Sequence, residues 1–440
     1  MFEFKIKASE VMEVLSNYIL KDGYDLVIDQ EKSSSFKIVD KRTGKQYLDF
    51  FTCFASMPLG INHPKINNPK FKNHIGRVAL NKIANSDLYT EEYASFVKTF
   101  FELAVPEHFK YSFFVSGGSL AVENALKTAF DWKVRKNIEA GKKQKGEKII
   151  HFKEAFHGRS GYTLSLTNTS EDKVKYFPKF DWPRITNPKL SFPINDSIVK
   201  SVKKAENAAI EEIKHAFYSN PDDIAAIIIE PIQGEGGDNH FRTEFFLELR
   251  KICDKNEALL IFDEVQTGVG ITGTMWAYEQ LGVKPDILCF GKKMQVCGIL
   301  VSDRIDEVEN NVFKKSSRIN STWGGNLVDM VRATRYLEII KEDNLIENAK
   351  IQGKYLKNRL NEIQSEFNGQ VKNVRGSGLF VAFDIPKDIV ADFLKLTFEK
   401  GMIILPCGIN SIRFRPPLNI SSSQIDTGVN LIKEALKELL

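Results

Sequence analysis

The five cysteines, Cys53, Cys253, Cys289, Cys297 and Cys407, include no C-x-x-C pair. An odd and scattered set excludes a disulfide framework and a zinc site of ordinary spacing, and it fits a reducing cytoplasm. The seven histidines form no H-x-x-x-H pattern, so no metal is expected. A formal net charge of +4 over 440 residues is slight, and no basic run is interleaved with aromatics. That argues against nucleic acid and against a charged membrane surface as partners. No window reaches the roughly 18 apolar residues of a membrane span. The opening MFEFKIKASEVMEVL lacks the basic start, apolar stretch and small-residue cleavage site of a signal peptide, so none is expected. There is no internal repeat and no low-complexity stretch.

What is present is 42% apolar, and long enough for a large core and more than one domain. Residues 35–52 predict two short strands around a turn at Gly44. Residues 91–104 have helical apolar spacing. The middle of the chain alternates apolar runs with amphipathic ones. YSFFVS (111–116) leads into a helix over 119–132, and a charged connector (133–147) leads to KIIHF (148–152). IAAIIIE (224–230) is followed by a helix over 245–256, then ALLIFDE (258–264) and DILCFG (286–291). Continuous apolar strands separated by helices indicate a parallel sheet covered on both faces, an α/β domain. After 326 the pattern changes to long helices over 327–342 and 344–367. Short strands at 378–385, 402–406 and 411–417 follow, with helices near 388–400 and over 423–439. This reads as a smaller α+β domain, which the N-terminal hairpin joins. The expected division is 1–59, 60–326 and 327–440.

Four segments carry chemistry. In PDILCFGKK (285–293) an apolar strand ends and Lys292 and Lys293 follow at once. Active residues of α/β sheets sit past the carboxyl ends of strands, and a partly desolvated lysine there becomes a nucleophilic amine. A solvated lysine after a strand looks the same. In ALLIFDEVQTG (258–268) the strand ends in Asp263, followed by Glu264 and Gln266. Such a carboxylate can hold a pyridinium nitrogen, or simply cap a turn. In FFVSGGSLAVENALK (113–127) a strand, a Gly117-Gly118-Ser119 turn and a helix N-terminus suit a phosphate, and equally an ordinary N-cap. In EAFHGRSG (154–161) Phe156 can stack on a flat ring and Arg159 can hold a carboxylate. A core aromatic and a surface arginine are the plain alternative.

In order and spacing these segments resemble the class III (omega) aminotransferases of the fold-type I pyridoxal-phosphate superfamily. The likeness begins at YLDFF (47–51) and LGINHP (59–64) and runs through IIIEPIQGEGG (227–237) and STWGGN (321–326). It closes with VRGSGL (374–379) and IRFRPPL (412–418). It implies a large domain with a mostly parallel, seven-stranded type of sheet, plus a smaller α+β domain built from the two chain ends. It also implies pyridoxal 5'-phosphate held as a Schiff base on Lys292, with Asp263 on the pyridine nitrogen. Gln266 falls on the partner of the phenolic oxygen, Phe156 on the ring face, and Gly118 and Ser119 on the phosphate. Thr322 resembles the residue that reaches the phosphate of the neighbouring subunit, which implies a homodimer with shared active sites. Many members read Ser-Gly-Thr or Ser-Gly-Ser at the phosphate turn, where this chain has Ser116-Gly117-Gly118-Ser119.

FHGR, IQGEGGDNHF and STWGGN are most similar to members that move the terminal (epsilon) amino group of L-lysine to 2-oxoglutarate. The products are 2-aminoadipate 6-semialdehyde and glutamate. Members acting on 4-aminobutyrate share FHGR and a similar EGGDNH segment, and ornithine is a third donor to weigh. The resemblance puts Arg159 on the distal carboxylate, Arg413 on the α-carboxylate of the keto acid, and Glu235 as a movable partner of Arg413. Arg415 is a neighbour of no assigned role. Rival readings are an aminomutase or decarboxylase on the same cofactor, a dinucleotide-binding oxidoreductase, and a scaffold with a decayed site. The glycine turn lacks G-x-G-x-x-G, which argues against the oxidoreductase.

Overall fold

The computed structural model describes residues 6–440. The first strands, β1 (Lys37–Val39) and β2 (Gln46–Asp49), form the expected antiparallel hairpin. Its second strand runs parallel to Met402–Ile403, with Leu48 opposite Met402 and Asp49 opposite Ile403. The hairpin is therefore tied to the far end of the chain.

Seven strands form the main sheet. Along the chain they are β3 (Phe109–Val115), β4 (Lys148–Phe152), β5 (Arg184–Ile185), β6 (Ile224–Ile229), β7 (Leu259–Asp263), β8 (Ile287–Phe290) and β9 (Cys297–Ser302). In space they lie in the order β3-β9-β8-β7-β6-β4-β5. From β8 through β5 all neighbours are parallel, while β9 is antiparallel to both β8 and β3. Because β9 is the single reversed strand, β3 points the same way as β8. The carboxyl ends of β3, β4, β6, β7 and β8 thus share one edge, where ligands of open α/β sheets bind.

The strands read as continuous apolar runs because both faces are covered. Every residue of β6, β7 and β8 is buried. Ala226, Ile228 and Ile261 pack with Val122, Leu126 and Trp132 of the helix Gly118–Glu139. Ile227, Ile229, Leu260 and Phe262 face the other way, toward Phe246 and Leu249 of the helix Thr243–Lys255. Period-two alternation puts successive side chains on opposite faces, so two apolar layers need an unbroken apolar strand.

A second sheet joins β10 (Lys372–Ser377), β11 (Phe380–Asp384), β13 (Leu405–Cys407) and β14 (Ser411–Phe414) in the order β10-β11-β14-β13; β12 is the Met402–Ile403 strand beside the hairpin. Its pairs are antiparallel, and helices Leu327–Glu342, Leu345–Glu366, Val390–Glu399 and Ser422–Leu439 surround it in sequence.

Three features depart from the sequence expectation. The helix begun near 119 continues to Glu139, so only the last part of 133–147 is a connector. A helix spans Asp196–Ser219, where no element was expected. Strand β9 follows the lysine turn immediately and runs antiparallel to the rest.

Candidate active site

The shared edge of the sheet opens into a cavity of about 740 Å³. Gly118, Ser119, Phe156, Arg159, Glu235, Asp263, Gln266 and Lys292 all line it. Arg413 stands behind Glu235, and Thr322 is exposed and outside its own chain's cavity. A larger groove of about 1130 Å³ runs along the helix Gly118–Glu139 and holds none of the expected site residues.

Lys292 comes at the end of β8, after Gly291, and takes a left-handed backbone (φ 48). For a lysine that conformation is unfavourable, and such outliers gather where a side chain must be aimed. Burial pulls its amine below the ordinary lysine range, and the nearby Arg413 guanidinium pulls the same way. The neutral amine is the nucleophilic form. Lys293 is buried too, but its Nζ donates to the Gln266 carbonyl at 2.7 Å and does not line the cavity. The two adjacent lysines are thus separated by the turn.

Asp263, the last residue of β7, is 6% exposed. Its Oδ2 lies 2.8 Å from Nδ1 of His157, and its Oδ1 accepts from the Val265 amide at 3.1 Å. Burial opposes a charge on His157, but the Asp263 carboxylate outweighs it and raises the imidazole's proton affinity. Glu230, at the end of β6, accepts from the amides of Phe156 (2.9 Å) and Gly234 (3.1 Å). Burial pushes its carboxyl up to about 7. Glu230 thereby ties the backbone at Phe156 to the turn that carries Glu235.

The Gly117-Gly118-Ser119 turn also has local reasons. Gly117 has φ 123, which favours glycine, and a Cβ at Gly158 would stand 2.3 Å from Ser119 Oγ. Ser119 Oγ is already shared with Ser160 Oγ at 2.5 Å and Thr163 Oγ1 at 2.8 Å. The first amides of the following long helix have no intrahelical acceptor and present the positive end of its dipole. A helix N-terminus, a buried carboxylate, an aromatic face and a desolvated amine around one cavity are the donor set that pyridoxal phosphate requires.

Gln266 is held from behind. Its Oε1 accepts from Arg415 Nε (3.1 Å) and Nη2 (2.9 Å), which leaves its amide hydrogens for the cavity. Arg415, which had no assigned role, is fully buried and forks onto Asp238 at 3.0 and 2.6 Å. Arg413 is 2% exposed. Its Nη2 donates to Glu235 Oε2 at 2.8 Å, while Nε and Nη1 are buried with no partner among the described residues. Arg159 is exposed at the cavity wall and makes no ion pair among the described residues.

Sequence reasoning missed His157 as a partner of Asp263, although FHGR carries it. It also missed Glu230, Lys173 and Phe54. Phe54 sits on a turn, Thr52–Ala55, whose four residues all have positive φ (41, 52, 58 and 64). That turn holds the Phe54 ring 5.8 Å from Lys292 Nζ and 5.9 Å from the Arg413 guanidinium.

A family model described as aminotransferase class-III matches residues 19–436. The L-lysine-epsilon aminotransferase of Mycobacterium tuberculosis is 48% identical over 429 residues, covering 97% of this chain and 95% of the relative. A probable mitochondrial 4-aminobutyrate aminotransferase of Caenorhabditis elegans is 32% identical over 432 residues, covering 94% of this chain and 88% of that protein. The solved structure of lysine aminotransferase from M. tuberculosis in the internal aldimine form matches with a TM-score of 0.97 at 47% identity. It covers 99% of this chain and 100% of that one.

Proposed function

The chain belongs to the class-III aminotransferases, and from that premise we propose that it moves the terminal amino group of L-lysine to 2-oxoglutarate, giving 2-aminoadipate 6-semialdehyde and glutamate. As a member it is a pyridoxal-phosphate enzyme of fold type I. The bound cofactor supplies an electron sink for the carbon that loses its proton.

The chain's own residues divide the work. Lys292 would hold the cofactor covalently, and once the donor amine has displaced it from that bond its free amine would take up the proton that the donor carbon loses. Asp263 faces the pyridine nitrogen, with His157 behind it keeping the carboxylate oriented. Gln266 offers its amide hydrogens to the phenolic oxygen, and Phe156 covers one ring face. The Gly118-Ser119 turn receives the phosphate. Thr322 completes the site of the neighbouring subunit in a homodimer. The five free cysteines fit a cytoplasmic enzyme.

The observation that carries the substrate reading is the Glu235–Arg413 pair at 2.8 Å, with Arg159 at the cavity wall in no ion pair among the described residues. A donor whose reacting amine is far from its carboxylate needs one cation, and Arg159 provides it. 2-Oxoglutarate needs two. Arg413 has two unused donors for the second carboxylate once Glu235 moves aside. Until then Glu235 keeps a buried guanidinium paired, which is expensive to leave bare. The higher identity to the lysine enzyme than to the 4-aminobutyrate enzyme ranks lysine first among donors.

The test is glutamate formation from 2-oxoglutarate with lysine, ornithine and 4-aminobutyrate offered separately. Lysine should give the highest kcat/KM. A clear win for 4-aminobutyrate would replace the donor and leave the roles of Lys292 and Asp263 standing.

A further inference from the structure

Glu235 does not rest on Arg413 alone. Its Oε2 accepts from Arg413 Nη2 at 2.8 Å, while its Oε1 accepts from Lys173 Nζ at 2.6 Å. Lys173 ends a short turn, Glu171–Lys173, and its ammonium also lies 5.5 Å from the centroid of the Phe156 ring. The two cations hold opposite oxygens of one carboxylate. We propose that Lys173 is the second anchor of Glu235, the one that keeps the carboxylate paired while Arg413 is given over to the keto acid. The proposal rests on the roles given above to Glu235 and Arg413.

The geometry confines the motion to the side chain. The Glu235 carbonyl accepts from the Gly408 amide at 2.9 Å, and a Cβ on Gly236 would stand 2.1 Å from the Glu154 carbonyl oxygen. The backbone on either side of the carboxylate is therefore clamped, and Glu235 leaves Arg413 by turning its own torsions. Lys173, at the cavity wall, is where Oε1 already sits.

Charge counting gives the reason for a second cation. With Lys173 present, the closed pair carries one positive charge in excess. When the α-carboxylate of 2-oxoglutarate reaches Arg413, each anion then has its own cation. Without Lys173 the closed pair is neutral, and the arriving carboxylate meets Glu235 with one guanidinium between them. Like charges in a partly desolvated site repel strongly, and a half-buried carboxylate without a partner is penalised again. The donor half-reaction leaves Glu235 on Arg413 and does not need the second anchor. Lys173 is thus a positioning residue for the acceptor half-reaction.

The test is Lys173→Met, with Lys173→Gln as a second neutral variant and Lys173→Arg as the charge-keeping one. The two half-reactions are followed separately in single turnovers, and binding of glutarate, an unreactive five-carbon dicarboxylate, is measured by calorimetry. In the neutral variants the KM for 2-oxoglutarate and the Kd for glutarate should rise at least tenfold more than the KM for lysine, and Lys173→Arg should restore most of the loss. A Glu235→Gln background separates the anchor from a general effect of positive charge. There, removing Lys173 should change the KM for 2-oxoglutarate less than threefold, because contacting partners are not additive. Equal losses in both half-reactions, no loss, or an undiminished loss in the Glu235→Gln background would each overturn the proposal. A wild type that forms no glutamate from any donor would instead defeat the function proposed above.

Discussion

Nδ1 of His157 and Oδ2 of Asp263 lie 2.8 Å apart, with both side chains buried. The carboxylate that ends β7 is thereby oriented from behind, and the cavity sees a preset group. A hydrogen bond to a charged partner contributes about 1.5–3 kcal/mol. His157→Phe should therefore weaken retention of pyridoxal phosphate about 10- to 100-fold. Equilibrium dialysis of the cofactor measures it. An unchanged affinity would show that His157 does no more than fill space.

Arg415 is the second support. Its fork onto Asp238 is fully buried, and it also fixes the Gln266 amide. Removing one member of a buried pair strands the other charge at about 3–5 kcal/mol. Arg415→Met should lower unfolding stability by that order in a denaturant titration. Arg415→Met with Asp238→Asn should recover part of the loss, since no bare carboxylate is left. Equal losses for the single and double variants would argue against the pair.

The turn Thr52–Ala55 stores strain that a substitution can release. Cys53 is exposed and has φ 52, a region that costs a residue with a side chain about 1–2 kcal/mol. Cys53→Gly should leave thermal stability unchanged or slightly higher, because backbone entropy in the unfolded chain offsets part of the relief. Cys53→Val should lower it, since a β-branched residue tolerates positive φ least. The reverse order would mean that the turn relaxes in solution.

The strand-end logic reached Lys292 and Asp263 from the sequence, because an apolar run that stops at a reactive residue is visible in one dimension. It did not reach Lys173, which lies among Glu171, Asp172 and Lys175 and looks like a solvated charge run. Only the fold of that loop lays the ammonium beside Glu235. Arg415 was passed over for a similar reason: its partner Asp238 is distant along the chain, and nothing local marks the pair. The helix Asp196–Ser219 did carry a signal, with Asn195 as N-cap and Val202, Glu206, Ala209, Ile213 and Ala216 buried at helical spacing. Its many charged residues hid that stripe. Strand β9 starts so soon after the lysine turn that its apolar run merged with the motif.

Glu235 gives a pH dependence with a definite sign. Burial alone would raise its carboxyl, but Arg413 and then Lys173 overcome that and hold it below the ordinary glutamate range. A depressed carboxyl contributes stability that is fully present above the unfolded value, about 4.3, and is lost as the pH falls through the lower folded value. The stability gap between wild type and Glu235→Gln should be flat from about pH 6 to 8 and close below about pH 4. Urea titrations at stepped pH check it, and a gap that widened in acid would contradict the pairing.

The central claim is that the amine farthest from the carboxylate is the one transferred. L-lysine labelled with ¹⁵N at the ε position, and separately at the α position, tests it with 2-oxoglutarate as acceptor and mass analysis of the glutamate formed. The account predicts label in glutamate from ε-labelled lysine and none from α-labelled lysine. Label passing from the α position, or no glutamate from lysine at all, would contradict it.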